Sequence, residues 1–104
     1  MPKKIYSYQE DLTEALKDPG EAAAYLNAAI EDGDRAVFLL ALKDVTAAHG
    51  GIAAIAKKAK LNRESLYRML SGKGNPEIKS LYSLLHAMRL RLAIGTEQGS
   101  SKAA

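Results

Sequence analysis

Residues 51–74 read GIAAIAKKAKLNRESLYRMLSGKG, and their spacing predicts two short helices, about 51–59 and 63–71, joined by a tight turn at Lys60-Leu61-Asn62. In the first, Ile52, Ile55, Ala56 and Ala59 fall on one apolar stripe while Lys57 and Lys58 face away. Two helices that cross steeply over so short a turn need a small side chain where their backbones approach, and Ala56 supplies it. Leu61 is the apolar plug between them. Asn62 can cap the second helix by accepting from the N–H of Glu64 or Ser65. Leu66, Met69 and Leu70 then return to the core, which leaves Arg63, Glu64, Tyr67 and Arg68 outward with Ser65 near the edge. The whole predicts a helix-turn-helix whose second helix is presented to the DNA major groove.

The outward residue types suit that groove. Arginine donates bidentately to guanine O6 and N7, asparagine pairs with adenine N6 and N7, and glutamate accepts from cytosine N4. Asn62, Arg63, Glu64, Ser65, Tyr67 and Arg68 are therefore the candidate base contacts. Lys57, Lys58, Lys73 and Lys79 lie on flanking elements as candidate phosphate contacts, which fix register rather than read sequence. One residue departs from the usual pattern: the turn carries Lys60 where glycine is common, and a left-handed lysine costs about 1 kcal/mol. An ordinary solvated helical hairpin has the same apolar spacing, so the pattern gains its meaning from the cap, the plug and the arginines together.

Outward from this segment the chain reads as helix nearly everywhere. Leu12 and Leu16 mark a helix over 8–17 that Asp18-Pro19-Gly20 stops, and Pro19 can open the next. That helix, about 20–31, aligns Ala22, Tyr25, Leu26, Ala29 and Ile30. Asp32-Gly33-Asp34 breaks it and Asp34 caps a third, about 35–49, expected to bury Val37, Phe38, Leu40, Ala41, Leu42 and Val45. A sixth runs about 77–88 after the Gly72–Pro76 turn. Leu90-Arg91-Leu92-Ala93-Ile94 alternates with the period of a strand. The expected fold is all-α, a small domain of five to six helices with a helix-turn-helix of lambda-repressor type and a short C-terminal β-strand. One domain spans 1–96, made of acidic helices over 8–50, the helix-turn-helix over 51–74, and a covering helix and strand over 77–95. Residues 97–104 read as a disordered tail.

Composition narrows the function. The 104 residues include no cysteine and two widely separated histidines, His49 and His86, so no disulfide, thiolate site or imidazole metal site is expected. No nucleophile triad or phosphate-cradling glycine loop is present, and Gly72-Lys73-Gly74 is a helix end and turn. The expectation is a non-enzyme with no cofactor. The N-terminus has two lysines but no apolar core behind them, and apolar runs fall short of the roughly 20 residues that span a bilayer, so a cytoplasmic protein with no membrane role is expected. Tyr25, Phe38 and Tyr82 are expected in the core rather than as stacking platforms. Charge is unevenly divided: residues 1–50 carry net −4 and residues 51–104 carry +7, within an overall +3. A polyanion for one half and a basic protein for the other would explain the split, as would plain solvated surface.

The sequence resembles the HigA-like, Xre-type helix-turn-helix addiction-module antidote (antitoxin) family. The resemblance rests on Ala24–Ala29 (AYLNAA), Phe38–Val45 (FLLALKDV), Leu61–Ser71 (LNRESLYRMLS), Gly74-Asn75-Pro76 and Leu90-Arg91-Leu92, and covers about residues 8–95. It implies a small antitoxin that neutralises a RelE/HigB-like toxin and, as a homodimer on double-stranded operator DNA, represses its own operon. Toxins of that kind tend to be basic, which makes Glu10, Asp11, Glu14, Glu21, Glu31 and Asp32 the candidate toxin contacts. Leu90, Leu92 and Ile94 are the candidate dimer contacts, as an edge that could pair with its symmetry mate. Leu81, Tyr82, Leu84, Leu85 and Met88 give the sixth helix more apolar surface than a covering helix needs, so it too is expected to contribute. A stand-alone Xre-type repressor and a protein-binding helical module without DNA binding are the alternatives.

Overall fold

Capping residues set the helix boundaries. In the computed structural model, which describes residues 8–97, the chain forms α1 (Tyr8–Leu16), α2 (Pro19–Asp32), α3 (Arg35–Ala48), α4 (Ile52–Ala59), α5 (Arg63–Met69) and α6 (Ile78–Ala87). Asp18 accepts from the Glu21 N–H at 3.0 Å and Pro19 opens α2 without leaving a donor orphaned. Gly33, left-handed at φ 83°, ends α2, and Asp34 at once starts α3 by accepting from Ala36 N–H at 2.9 Å. Gly50 and Gly51, both at positive φ, turn the chain through 94° between α3 and α4.

The helices pack as two groups that share one core. α1, α2 and α3 contact one another, α4 packs on α5 and α6, and α3 meets α4. Leu39, Leu42 and Val45 of α3, Ile55 of α4, Leu66 of α5 and Leu84 of α6 are almost fully buried in a single cluster. Truncating any of these leucines or isoleucines to alanine removes about 2–5 kcal/mol. Thr46, the buried polar residue of the cluster, donates to Leu42 O at 2.8 Å and lies 3.8 Å from Met88 Sδ, so its hydroxyl is satisfied where α3 meets the end of α6.

Two polar contacts tie the first group together. His49, at the end of α3, holds Leu16 O at 2.9 Å through Nε2 and so satisfies a carbonyl at the end of α1. A carbonyl only accepts, so Nε2 carries the proton. Tyr25 of α2 donates its hydroxyl to Asp44 of α3 at 2.7 Å. Burial, and then the adjacent carboxylate, push the Tyr25 phenol up to about 12. The protonated tyrosine is the form the fold favours. Its contribution is therefore complete below pH 10, the unfolded value, and fades as pH rises from 10 through about 12. Tyr25→Phe should cost about 1–2 kcal/mol at neutral pH. Denaturant titrations of both proteins should show that deficit vanishing above the tyrosine transition.

Several expectations need correction. Among the described residues there is no strand: Leu90–Ile94 is irregular. A strand exists only by pairing, and the described residues include no paired strand. Arg89 takes a left-handed conformation, φ 64°, and Leu90 N–H bonds back to Leu85 O at 2.8 Å to close the end of α6. Val37, Leu40 and Ile30 are exposed rather than core, and Leu39 is buried in place of Leu40. Residues 36–42 are apolar without a break, so periodicity could not set the phase of α3, and packing against α1 and α2 set it instead. Tyr82 is 54% exposed and is not a core aromatic. The readings made for residues 1–7 and for the tail from 98 onward lie outside the described residues.

Candidate nucleic-acid interface

The site is built at the α4–α5 corner. Lys60, at φ 58° and ψ 41°, takes the left-handed conformation that ends α4, and Leu61 N–H bonds to Ala56 O at 2.9 Å. Ala56 is buried and Leu61 is half-buried. Asn62 Oδ1 accepts from Ser65 N–H at 3.0 Å and caps α5. Leu66, Met69 and Leu70 are buried, which fixes the rotation of α5 about its axis. That rotation places Arg63, Glu64, Tyr67 and Arg68 outward and exposed.

These four side chains border an open cleft of about 710 Å³, together with Ser71 beyond the end of α5 and with Ile52 and Ala53 from the first turn of α4. Ile52, Ala53 and Ser71 were not identified from the sequence. Their place beside α5 follows from the angle at which α4 crosses it, and no local pattern records that angle. Ser65 points elsewhere: with Lys73, Asn75 and Ser80 it lines a separate groove of about 570 Å³, with Arg68 between the two. Lys57 and Lys58 are exposed on the last turn of α4, Lys73 in the turn after α5 and Lys79 on the first turn of α6. The sequence-predicted phosphate contacts therefore flank the corner on three elements.

Charge divides between the two helical groups. Residues 8–50 hold nine acidic and three basic side chains, and residues 51–97 hold three acidic and nine basic, giving −6 and +6. Glu10, Asp11, Glu14, Glu21, Glu31 and Asp32 are all exposed on α1 and α2. Glu14 pairs with Lys17 at 3.0 Å, a solvent-exposed pair worth under about 1 kcal/mol. Of the dimer candidates, Leu90 packs against the core, whereas Leu92 is 39% and Ile94 98% exposed. Among the described residues no cluster of His, Cys, Asp and Glu has the makings of a metal site. No single helix there is long and apolar enough to cross a membrane.

Residues 7–96 match the family described as "Probable addiction module antidote protein". The chain belongs to this family. An uncharacterized protein of Haemophilus influenzae is 32% identical over 84 residues, covering 81% of this chain and 86% of the relative. No solved structure matches the chain. Membership of the antidote family supports an antitoxin role and implies a toxin as protein partner.

The turn of this antidote protein also yields a stability prediction. Lys60 holds a backbone conformation that costs an L-residue about 1–2 kcal/mol, of which glycine's greater unfolded-state entropy returns part. Lys60→Gly should therefore raise stability by about 0.5–1 kcal/mol, measured by chemical denaturation.

Proposed function

We propose that this antidote protein is a DNA-binding antitoxin of the HigA-like, Xre type, which as a homodimer represses its own operon and neutralises a RelE/HigB-like toxin. In this reading α4, the turn and α5 form the helix-turn-helix, and α5 enters the major groove. Arg63 and Arg68 donate to guanine, Glu64 accepts from cytosine N4, and Tyr67 contributes its ring. Asn62 Oδ1 already holds the N-cap of α5, so Asn62 acts mainly by positioning the helix and reaches DNA through its amide N–H. Lys57, Lys58, Lys73 and Lys79 meet phosphates on either side. One such helix makes few base contacts, and two half-sites about 34 Å apart require a second copy, which Leu92 and Ile94 are exposed to receive. The acidic faces of α1 and α2 serve a basic toxin, and binding rather than catalysis is the activity.

The observation that carries this reading is the exposed Arg63–Glu64–Tyr67–Arg68 face beside an open cleft, within residues 51–97 of net charge +6. A mobility-shift assay on the DNA upstream of the protein's own gene tests it, paired with co-expression of the neighbouring gene product. A retarded band together with co-purification and rescue of growth is the expected outcome. Retardation without a co-purifying partner would leave a stand-alone repressor. Co-purification without retardation would leave a protein-binding module.

A further inference from the structure

The cleft beside α5 is not uniformly polar, and that shapes what it accepts. Its α4 wall is Ile52 and Ala53, whose side chains offer no hydrogen-bond donor or acceptor, and Tyr67 faces the same space with 63% of its surface exposed. Arg63 and Arg68 border the cleft as well. The Ile52 and Ala53 side chains give no hydrogen bond to a polar base edge, which would lose hydration against them without return. Among the groups that bases present in the major groove, the thymine C5-methyl is the apolar one. Resting on the DNA-binding reading above, we infer that Ile52, Ala53 and Tyr67 form a pocket for a thymine methyl, adjacent to a G·C pair read by arginine. Specificity then comes partly from α4, the helix that otherwise supports α5 and carries the phosphate-contacting Lys57 and Lys58. Both kinds of readout meet in one cleft because the crossing of α4 and α5 brings an apolar first turn against a cationic helix face.

The test uses the full chain and its own upstream operator, with deoxyuridine replacing thymine one position at a time. Deoxyuridine keeps every hydrogen-bonding group and removes only the methyl. Burial of one methyl predicts affinity about fourfold weaker at one thymine per half-site, and about fifteenfold weaker when both half-sites are substituted. In Tyr67→Ala and Ile52→Ala the thymine and deoxyuridine operators should bind with nearly equal affinity. Tyr67 is largely exposed, so its variant keeps the fold if half-buried Ile52 proves intolerant of change. Equal binding of every deoxyuridine operator by the wild-type chain would overturn the methyl pocket and leave operator binding standing. An undiminished penalty in both variants would place the methyl elsewhere and overturn it too. Failure of the wild-type chain to bind the operator at all would remove the DNA-binding reading, and this inference with it.

Discussion

Arg63→Ala and Arg68→Ala should each weaken operator binding by about 1–3 kcal/mol and relax the preference at one base pair per half-site. Each guanidinium is exposed at the cleft on α5, so removing it deletes a bidentate donor without disturbing the buried Leu66–Met69–Leu70 side of the helix. Thermal melts of both variants should accordingly match the wild type, which separates a lost contact from a lost fold. Lys57→Ala and Lys58→Ala supply the contrast. They should weaken binding to all sequences alike, and each phosphate contact removed lowers the slope of log affinity against log salt by about 1. Anisotropy titrations at several salt concentrations, on operator and scrambled DNA, resolve the two behaviours. Wild-type affinity and specificity in both arginine variants would remove α5 as the reading helix.

Gly74→Ala should have the largest effect on stability of any substitution outside the hydrophobic core, a loss of about 2–3 kcal/mol. A Cβ at this position would lie 2.5 Å from Met69 O and 2.9 Å from Arg68 O. Both neighbours are main-chain atoms at the end of α5, so no side-chain rotation relieves the clash. Either the turn after α5 moves away or the last turn of α5 deforms. Gly72→Ala is the informative comparison, because Gly72 sits at φ 92° with open space around its Cβ direction. It carries only the backbone strain of a left-handed alanine, about 1–2 kcal/mol. Denaturant melts should rank the two substitutions in that order. Gly74→Ala should in addition weaken operator binding, since the carbonyls it displaces belong to the helix that carries Arg63 and Arg68.

How much of this was legible in the sequence depended on whether the signal was local. Asp34 and Asn62 were readable as caps, and Gly33 as part of a helix break, because a cap bonds to an N–H two or three residues away and a left-handed glycine needs no distant partner. The outward set on α5 was readable because Leu66, Met69 and Leu70 leave a single orientation for a short amphipathic helix. The C-terminal alternation was misleading for the opposite reason. Period two describes a strand only when a neighbour supplies the ladder, and here Leu90 closes α6 instead.

The amino-acid sequence by itself determined the succession of helices with their ends to within one or two residues, the polarity of charge along the chain, and which residues of α5 face outward. Tertiary structure decided the phase of α3, where unbroken apolar residues left Leu39 and Leu40 equivalent until α1 and α2 packed against one side. It also decided the Tyr25–Asp44 and His49–Leu16 contacts, the close approach that requires glycine at position 74, and the apolar wall that Ile52 and Ala53 bring to the cleft. Caps and periodicity act over one turn of helix, whereas each of these depends on the angle and distance at which two helices meet.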